Sequence, residues 1–212
     1  MDIKLEKFSF RSGESVLFGK PAIWKEIEDT LLDPEVDIWS LPRRKYLNFL
    51  DNRFQKMGWE SQPSLIKQGQ DPIKLMDFRK ETIGIQIGIQ SHSPKSDYHN
   101  LQIATTTPAA KIDAGVYITA TSNFQQKISD ESGDRWTGSN FQTAKRDLQS
   151  ASRLLQVPIY LIGLEAVDVP LENIDLNRTA PFVIKELALA FLQQKYAKRI
   201  EKKVRVTRQC IG

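Results

Sequence analysis

The sequence predicts an α/β fold in which helices flank a mixed central sheet, and it predicts one domain over residues 1–212. Four segments carry apolar residues at helical spacing, and four others carry the alternating or continuous apolar runs of strands. The run VPIYLIGL at 157–164 is apolar throughout, which is typical of a strand buried on both faces. With 212 residues, 40% of them hydrophobic, the chain can build one substantial core.

Proline, glycine and changes in the spacing of apolar residues mark the boundaries of the predicted helices and strands. Pro34 ends the first helix, and Gly58 ends the second. Strand, helix and strand over 112–164 form a βαβ unit, so we expect these two strands to be parallel. The predicted elements are, in order, helices over 22–33 and 43–57, strands over 73–78 and 83–90, a loop over 91–100, a strand over 112–121, a helix over 139–155, a strand over 157–164 and a helix over 181–199.

The strand over 83–90 alternates strictly between two kinds of residue. Isoleucine occupies every odd position, and glycine or glutamine every even one, so one face needs a core and the other allows close approach. Asp77 lies shortly before this strand in the sequence. A carboxylate beside amide and backbone oxygens suits a hard cation such as Mg²⁺. The simpler interpretation is an ordinary amphipathic strand with an acid in the preceding turn.

Composition excludes several classes of site. The single cysteine excludes an intramolecular disulfide and a cysteine-based zinc cluster, and the only two histidines, His92 and His99, lack a third nitrogen ligand. No apolar run approaches the length of a membrane helix, and the N-terminus shows no signal peptide, so we expect a cytoplasmic protein.

Basic residues are concentrated near the C-terminus, although the net charge is only +4. Such a cluster suits contacts with DNA phosphates, for which Lys202 and Lys203 are the candidates. The alternative is a solvated helix end, where cations also complement the helix dipole. The cluster comprises Lys195, Lys198, Arg199, Lys202, Lys203, Arg205 and Arg208.

A second candidate region covers residues 129–140, at the carboxyl end of the predicted 112–121 strand, where α/β folds bind ligands. Arg135 can form a bidentate contact with a guanine edge, and Ser132 can contact a phosphate or base. The alternative is a solvated loop in which Ser139 caps the next helix.

Five segments in collinear order resemble the BglII and BstYI group of type II restriction endonucleases. They are IWKEIEDTLL at 23–32, LNFLDNRFQKMGW at 47–59, DFRKETIGIQIG at 77–88, KIDAGVYI at 111–118 and VPIYLIGL at 157–164. The resemblance implies a restriction-endonuclease-like core and Mg²⁺-dependent cleavage of double-stranded DNA at a short palindrome. It also implies a homodimer, because twofold DNA sites are matched by twofold proteins, and a cognate DNA methyltransferase in the same system.

The resemblance also implies where the site lies, with two departures from the family pattern. The group carries an Asp, then a strand bearing Glu, one residue and Gln. Here Asp77 stands at the Asp position, Gln86 at the Glu position and Gly88 at the Gln position. Asp77 and Gln86 are therefore the expected metal ligands. Glu81 is a substitute for the lost carboxylate if the turn brings it back toward Asp77. The resemblance also points to Ser91 as a DNA-binding residue.

Three interpretations follow from these departures. The protein is active with its altered set, or is a weakened nuclease, or is a DNA-binding homologue that has lost catalysis, because an amide cannot act as a base. An alternative from another class is a structural or partner-binding domain without a metal.

Overall fold

A computed structural model gives the fold and describes residues 2–34, 36, 38–65, 73–89, 93–133, 136 and 138–167. The described strands and α-helices are, in chain order, β1 (Asp2–Phe10), α1 (Gly13–Phe18), α2 (Pro21–Leu31), α3 (Arg43–Lys56), β2 (Glu60–Ser61), β3 (Ser64–Leu65), β4 (Ile73–Lys74), β5 (Phe78–Lys80), β6 (Ile83–Ile87), α4 (Pro94–Ala104), β7 (Ala114–Ala120), α5 (Ser122–Ser132), α6 (Phe141–Ser150) and β8 (Ile159–Val167). Short 3₁₀ turns cover Ile38–Ser40 and Pro108–Ala110.

Six strands form a mixed sheet in the order β1-β8-β7-β6-β5-β2, and β3 pairs with β4 in a separate two-stranded sheet. The central strands β6, β7 and β8 are parallel, whereas β1, β5 and β2 are antiparallel to their neighbours. The predicted mixed sheet is confirmed. The predicted parallel pairing of the 112–121 and 157–164 strands is also confirmed, with Tyr117 opposite Leu161.

The sheet separates two hydrophobic clusters. Isoleucines 83, 85, 87 and 89 of the alternating segment all belong to one cluster, which also contains buried residues of α2, α3 and α5. Tyr117 of β7 belongs to the other cluster, together with buried residues of α4 and α6. The two-residue period along β6 therefore predicted correctly which face the isoleucines occupy. It leaves Gly84, Gln86 and Gly88 on the opposite face.

The predicted loop over 91–100 is wrong, because α4 begins within it at Pro94. Proline is accepted in the first helical turn, where its missing N–H has no helical partner. Tyr98, Leu101 and Ala104 are buried at helical spacing. The helix also has a topological role, since parallel neighbours such as β6 and β7 need a crossover connection rather than a hairpin. The polar composition of this segment masked the pattern.

Five further strands and α-helices were absent from the expectations: β1, α1, β2, β3 and α5. In β1 the apolar pattern changes phase, because Ile3 and Leu5 pack on one cluster and Phe8 and Phe10 on the other. That change breaks the strict alternation that identifies a strand. The predicted helix over 139–155 ends earlier, since α6 stops at Ser150, and the predicted 73–78 strand is divided between β4 and β5.

The predicted helix over 181–199 lies outside the described residues. The single domain over 1–212 stays a prediction for the same reason, since the described elements belong to the unit Met1–Val167. Within the part of the chain that the structure describes, no helix has the length and apolar character needed to cross a membrane.

Candidate functional site

The candidate site lies at the carboxyl edge of the three parallel strands. Strands β6, β7 and β8 run in the same direction, so their last residues, Ile87, Ala120 and Val167, end at one edge of the sheet. Ligands of open α/β sheets commonly bind outside the carboxyl ends of strands. Asp77 lies at this edge, because it directly precedes β5, which pairs with β6 in an antiparallel hairpin.

Backbone hydrogen bonds hold Asp77 across the end of β6. Its N–H donates to the Ile85 carbonyl oxygen at 2.9 Å, and its Oδ2 atom accepts the Ile87 N–H at 2.6 Å. The carboxylate therefore lies beside the peptide that joins Gln86 to Ile87. On its other side, the Asp77 carbonyl oxygen accepts the Gln62 N–H at 2.7 Å. These bonds fix both the main chain and one carboxylate oxygen.

Lys74 occupies the second oxygen of the same carboxylate. Its Nζ atom lies 2.5 Å from Asp77 Oδ1. The lysine side chain is 44% exposed and the aspartate side chain 18%. Sequence reasoning missed this lysine. The signal that could have found it is its position three residues before Asp77.

Gln86 and Gly88 lie on the same face of the sheet, but only Gln86 can offer a side chain. Gln86 is half-buried and pairs with Tyr117 of the neighbouring strand β7. A Cβ atom added to Gly88 would lie 2.2 Å from Tyr117 Oη and 2.3 Å from Tyr117 Cζ. The phenol of Tyr117 thus occupies the space where a side chain at residue 88 would begin, so Gly88 contributes backbone alone.

Tyr117 connects this face to helix α4. The Tyr117 hydroxyl group bonds Asp97 Oδ2 at 3.0 Å, and the Tyr117 ring packs on Tyr98 with 4.9 Å between ring centroids. Burial raises the pKa of the Tyr98 hydroxyl above its ordinary range, and the negative charges of Asp147 and Asp97 raise it further. Tyr98 therefore stays a neutral donor to the Ala144 carbonyl oxygen. Sequence reasoning found neither Tyr117 nor Asp97, because their meeting depends on the crossover through α4.

The structure does not bring Glu81 to Asp77. Glu81 occupies the turn at the far end of the β5–β6 hairpin, with φ of 51°, and its carboxylate pairs with Lys20 at 2.6 Å. The condition under which Glu81 could replace the lost carboxylate is therefore not met. Its side chain is 58% exposed, which is the environment of a surface ion pair.

The remaining candidate DNA contacts fall on or near undescribed residues. Ser132 is the last residue of α5, so it belongs to a helix rather than to the expected loop. Asn140, not Ser139, caps α6, since the Asn140 side chain accepts the Thr143 N–H at 2.9 Å. Ser91, Arg135, Lys202 and Lys203 lie outside the described residues.

The described residues of this site offer oxygen ligands of the type that divalent cations bind, but these ligands are few. Asp77 offers carboxylate oxygens and Gln86 an amide oxygen, both of which hard cations accept. Within the described ranges, no group of three or more His, Cys, Asp or Glu residues is arranged to hold a metal ion. Asp77 and Gln86 are thus the oxygen ligands that the described residues offer to a cation at this edge of the sheet.

Comparisons with known proteins establish the fold and the family of the chain. The chain resembles a crystal structure of restriction endonuclease BglII complexed with a DNA 16-mer, at 17% identity over 78% of each chain and with a TM-score of 0.58. It also resembles free BglII, at 17% identity over 79% of this chain and 82% of that chain, with a TM-score of 0.55. No curated protein matches the sequence. The family model described as restriction endonuclease BglII/BglIII matches residues 5–164. Because this match spans β1 through most of β8 and well over half of the sequence, the chain belongs to the BglII/BglIII family of restriction endonucleases.

Proposed function

We propose that this protein is a type II restriction endonuclease that hydrolyses phosphodiester bonds of double-stranded DNA at a short palindromic site, with Mg²⁺ bound at Asp77. The observation that carries the proposal is the fixed carboxylate of Asp77 at the end of β6, held by the Ile87 N–H and adjacent to Gln86. Family membership supports nuclease chemistry, and the neighbouring BglII structure contains DNA.

Asp77 and Gln86 make different contributions to the proposed hydrolysis. Asp77 supplies the carboxylate that would hold the ion, and its hydrogen bonds with main-chain groups hold it in place. Gln86 offers a neutral oxygen and cannot take a proton, so it cannot serve as the general base. A divalent ion held by Asp77 and Gln86 would neutralise phosphate charge and lower the pKa of a bound water. The general base would then be a group other than Gln86.

A homodimer is part of the proposal, because two identical sites related by a twofold axis match the two strands of a palindrome. A cognate DNA methyltransferase would protect the host DNA from cleavage. The second candidate function is a DNA-binding homologue with impaired catalysis. Gln86 favours it, because replacing a carboxylate with an amide removes one of the charges that attract the ion.

Plasmid cleavage against Mg²⁺ concentration tests the proposal and separates the two candidates. We expect Asp77→Asn to abolish cleavage, since the variant keeps the size of the side chain and loses its charge. Gln86→Glu should lower the Mg²⁺ concentration needed for cleavage, because a second carboxylate is regained beside the first. Asp113→Asn, at an exposed acid in the turn before β7, is the control and should leave cleavage unchanged.

Two outcomes would redirect the proposal. Full cleavage by Asp77→Asn would exclude Asp77 as the metal ligand. Cleavage by Gln86→Glu together with an inactive natural protein would establish the second candidate, a lapsed nuclease that still binds DNA.

A further inference from the structure

Both oxygens of the Asp77 carboxylate have a donor within the protein. Oδ2 accepts the Ile87 N–H at 2.6 Å, and Oδ1 lies 2.5 Å from Lys74 Nζ. The two donors differ in what they can do. The Ile87 N–H belongs to the main chain at the end of β6 and is fixed, whereas the Lys74 ammonium ends a flexible four-carbon stem.

A divalent cation and the ammonium group cannot share Oδ1 without strong repulsion. The repulsion between charges of +2 and +1 is twice that between two unit charges at the same distance. Among the described residues considered for this site, neither of the other two offsets that repulsion, because Gln86 is neutral and Glu81 is paired with Lys20 at the other end of the hairpin. An ion that binds Asp77 must therefore displace Lys74 from Oδ1.

The position of Lys74 allows its side chain to move away from Asp77. It belongs to β4, which among the described strands pairs with β3 and is not part of the six-stranded sheet. Its side chain is 44% exposed, so the ammonium group can reach solvent. In a complex with DNA, the phosphates offer the released ammonium group a complementary anion, which lysine binds as a point charge.

We propose that Lys74 is a displaceable cation that occupies Asp77 in the DNA-free protein and moves to a DNA phosphate when DNA binds, so that DNA opens the metal site. This inference rests on the proposed nuclease function and adds a regulatory step to the same site. By linkage, DNA and the divalent ion then strengthen each other's binding through one side chain.

Binding of Mn²⁺, followed by the electron paramagnetic resonance signal of the free ion, tests the inference without requiring cleavage. Without DNA, Lys74→Met should bind Mn²⁺ about tenfold more tightly than the natural protein, because the competing charge is gone. Lys74→Arg keeps the charge and should bind like the natural protein. Lys4→Met is the matched control, since it removes an exposed lysine from an ion pair with Glu6 on β1.

Sheared duplex DNA gives the second arm, after subtraction of the Mn²⁺ that DNA binds alone. We expect DNA to raise the Mn²⁺ affinity of the natural protein toward that of Lys74→Met, and to change the variant much less. Equal Mn²⁺ affinities of the natural protein and Lys74→Met without DNA would overturn the inference, while cleavage by the natural protein left the proposed function standing. Absence of Mn²⁺ binding in every protein, together with absence of cleavage, would overturn both.

Discussion

Substitution of Gly88 by alanine gives a sharp test of how the site is packed. The added Cβ would lie 2.2 Å from Tyr117 Oη, 2.3 Å from Cζ and 2.5 Å from Cε1. The phenol must retreat by about 1.2 Å to restore an ordinary 3.4 Å contact with the nearest atom. Tyr117 is fully buried and its ring packs on Tyr98, so it has little room to move.

The expected cost of Gly88→Ala combines two terms. Overpacking a filled core costs about 1–3 kcal/mol. Movement of the phenol also weakens its hydrogen bond to Asp97, and a hydrogen bond to a charged group contributes about 1.5 kcal/mol or more. We therefore expect the free energy of unfolding to fall by about 2–4 kcal/mol. Urea unfolding followed by tryptophan fluorescence measures this as a lower midpoint at unchanged slope.

Two variants isolate the contact with Tyr117 as the cause. Gly19→Ala is the control, because Gly19 has an ordinary helical φ of −63° and its nearest Cβ contact is 3.3 Å, so we expect a change within about 0.5 kcal/mol. In a Tyr117→Leu background, which removes the three clashing atoms, Gly88→Ala should cost less than about 1 kcal/mol. An unfolding midpoint of Gly88→Ala equal to that of the natural protein would refute the reasoning.

Two further predictions concern ion pairs away from Asp77. Glu81→Gln should leave plasmid cleavage unchanged and alter the free energy of unfolding by less than about 1 kcal/mol, because its pair with Lys20 is exposed; a loss of cleavage would return Glu81 to the site. Glu26→Gln should lower the free energy of unfolding in urea by about 1–2 kcal/mol, because the Glu26 carboxylate bonds both Trp59 Nε1 at 2.8 Å and Lys80 Nζ at 2.7 Å. A midpoint unchanged in Glu26→Gln would show that this partly buried cluster contributes nothing measurable.

The period of the apolar residues was sufficient to predict the centre of the fold. The alternation along 83–90 fixed which residues of β6 face which cluster, and the continuous apolar run at 157–164 identified a strand buried on both faces. These predictions succeed because burial of a face is a local property of the sequence. Helix α4 was missed because its polar residues outnumber its buried ones. The helix belongs to the crossover connection that the parallel pairing of β6 with β7 requires, and that pairing is not a local property of the sequence.

The site was predictable only in part, for a related reason. Asp77 was identified as a candidate because it lies close to β6 in the sequence. In the structure, its carboxylate contacts β6 by accepting the Ile87 N–H. The partners of the site come from elsewhere in the fold. Tyr117 reaches Gly88 from the neighbouring strand, and Asp97 reaches Tyr117 from α4, so neither pairing can be read from local spacing.

The two departures from the family pattern differ in kind, and the difference determines which one can be reversed. Glycine at 88 is matched to tyrosine at 117, since the phenol fills the space that a side chain at 88 would need. Gly88→Gln alone should therefore disrupt packing rather than restore an amide to the site. Gln86→Glu exchanges side chains of nearly equal size at a half-buried position, so packing does not oppose it. The missing charge can thus be regained by one substitution, whereas the missing side chain at 88 requires a smaller residue at 117 as well.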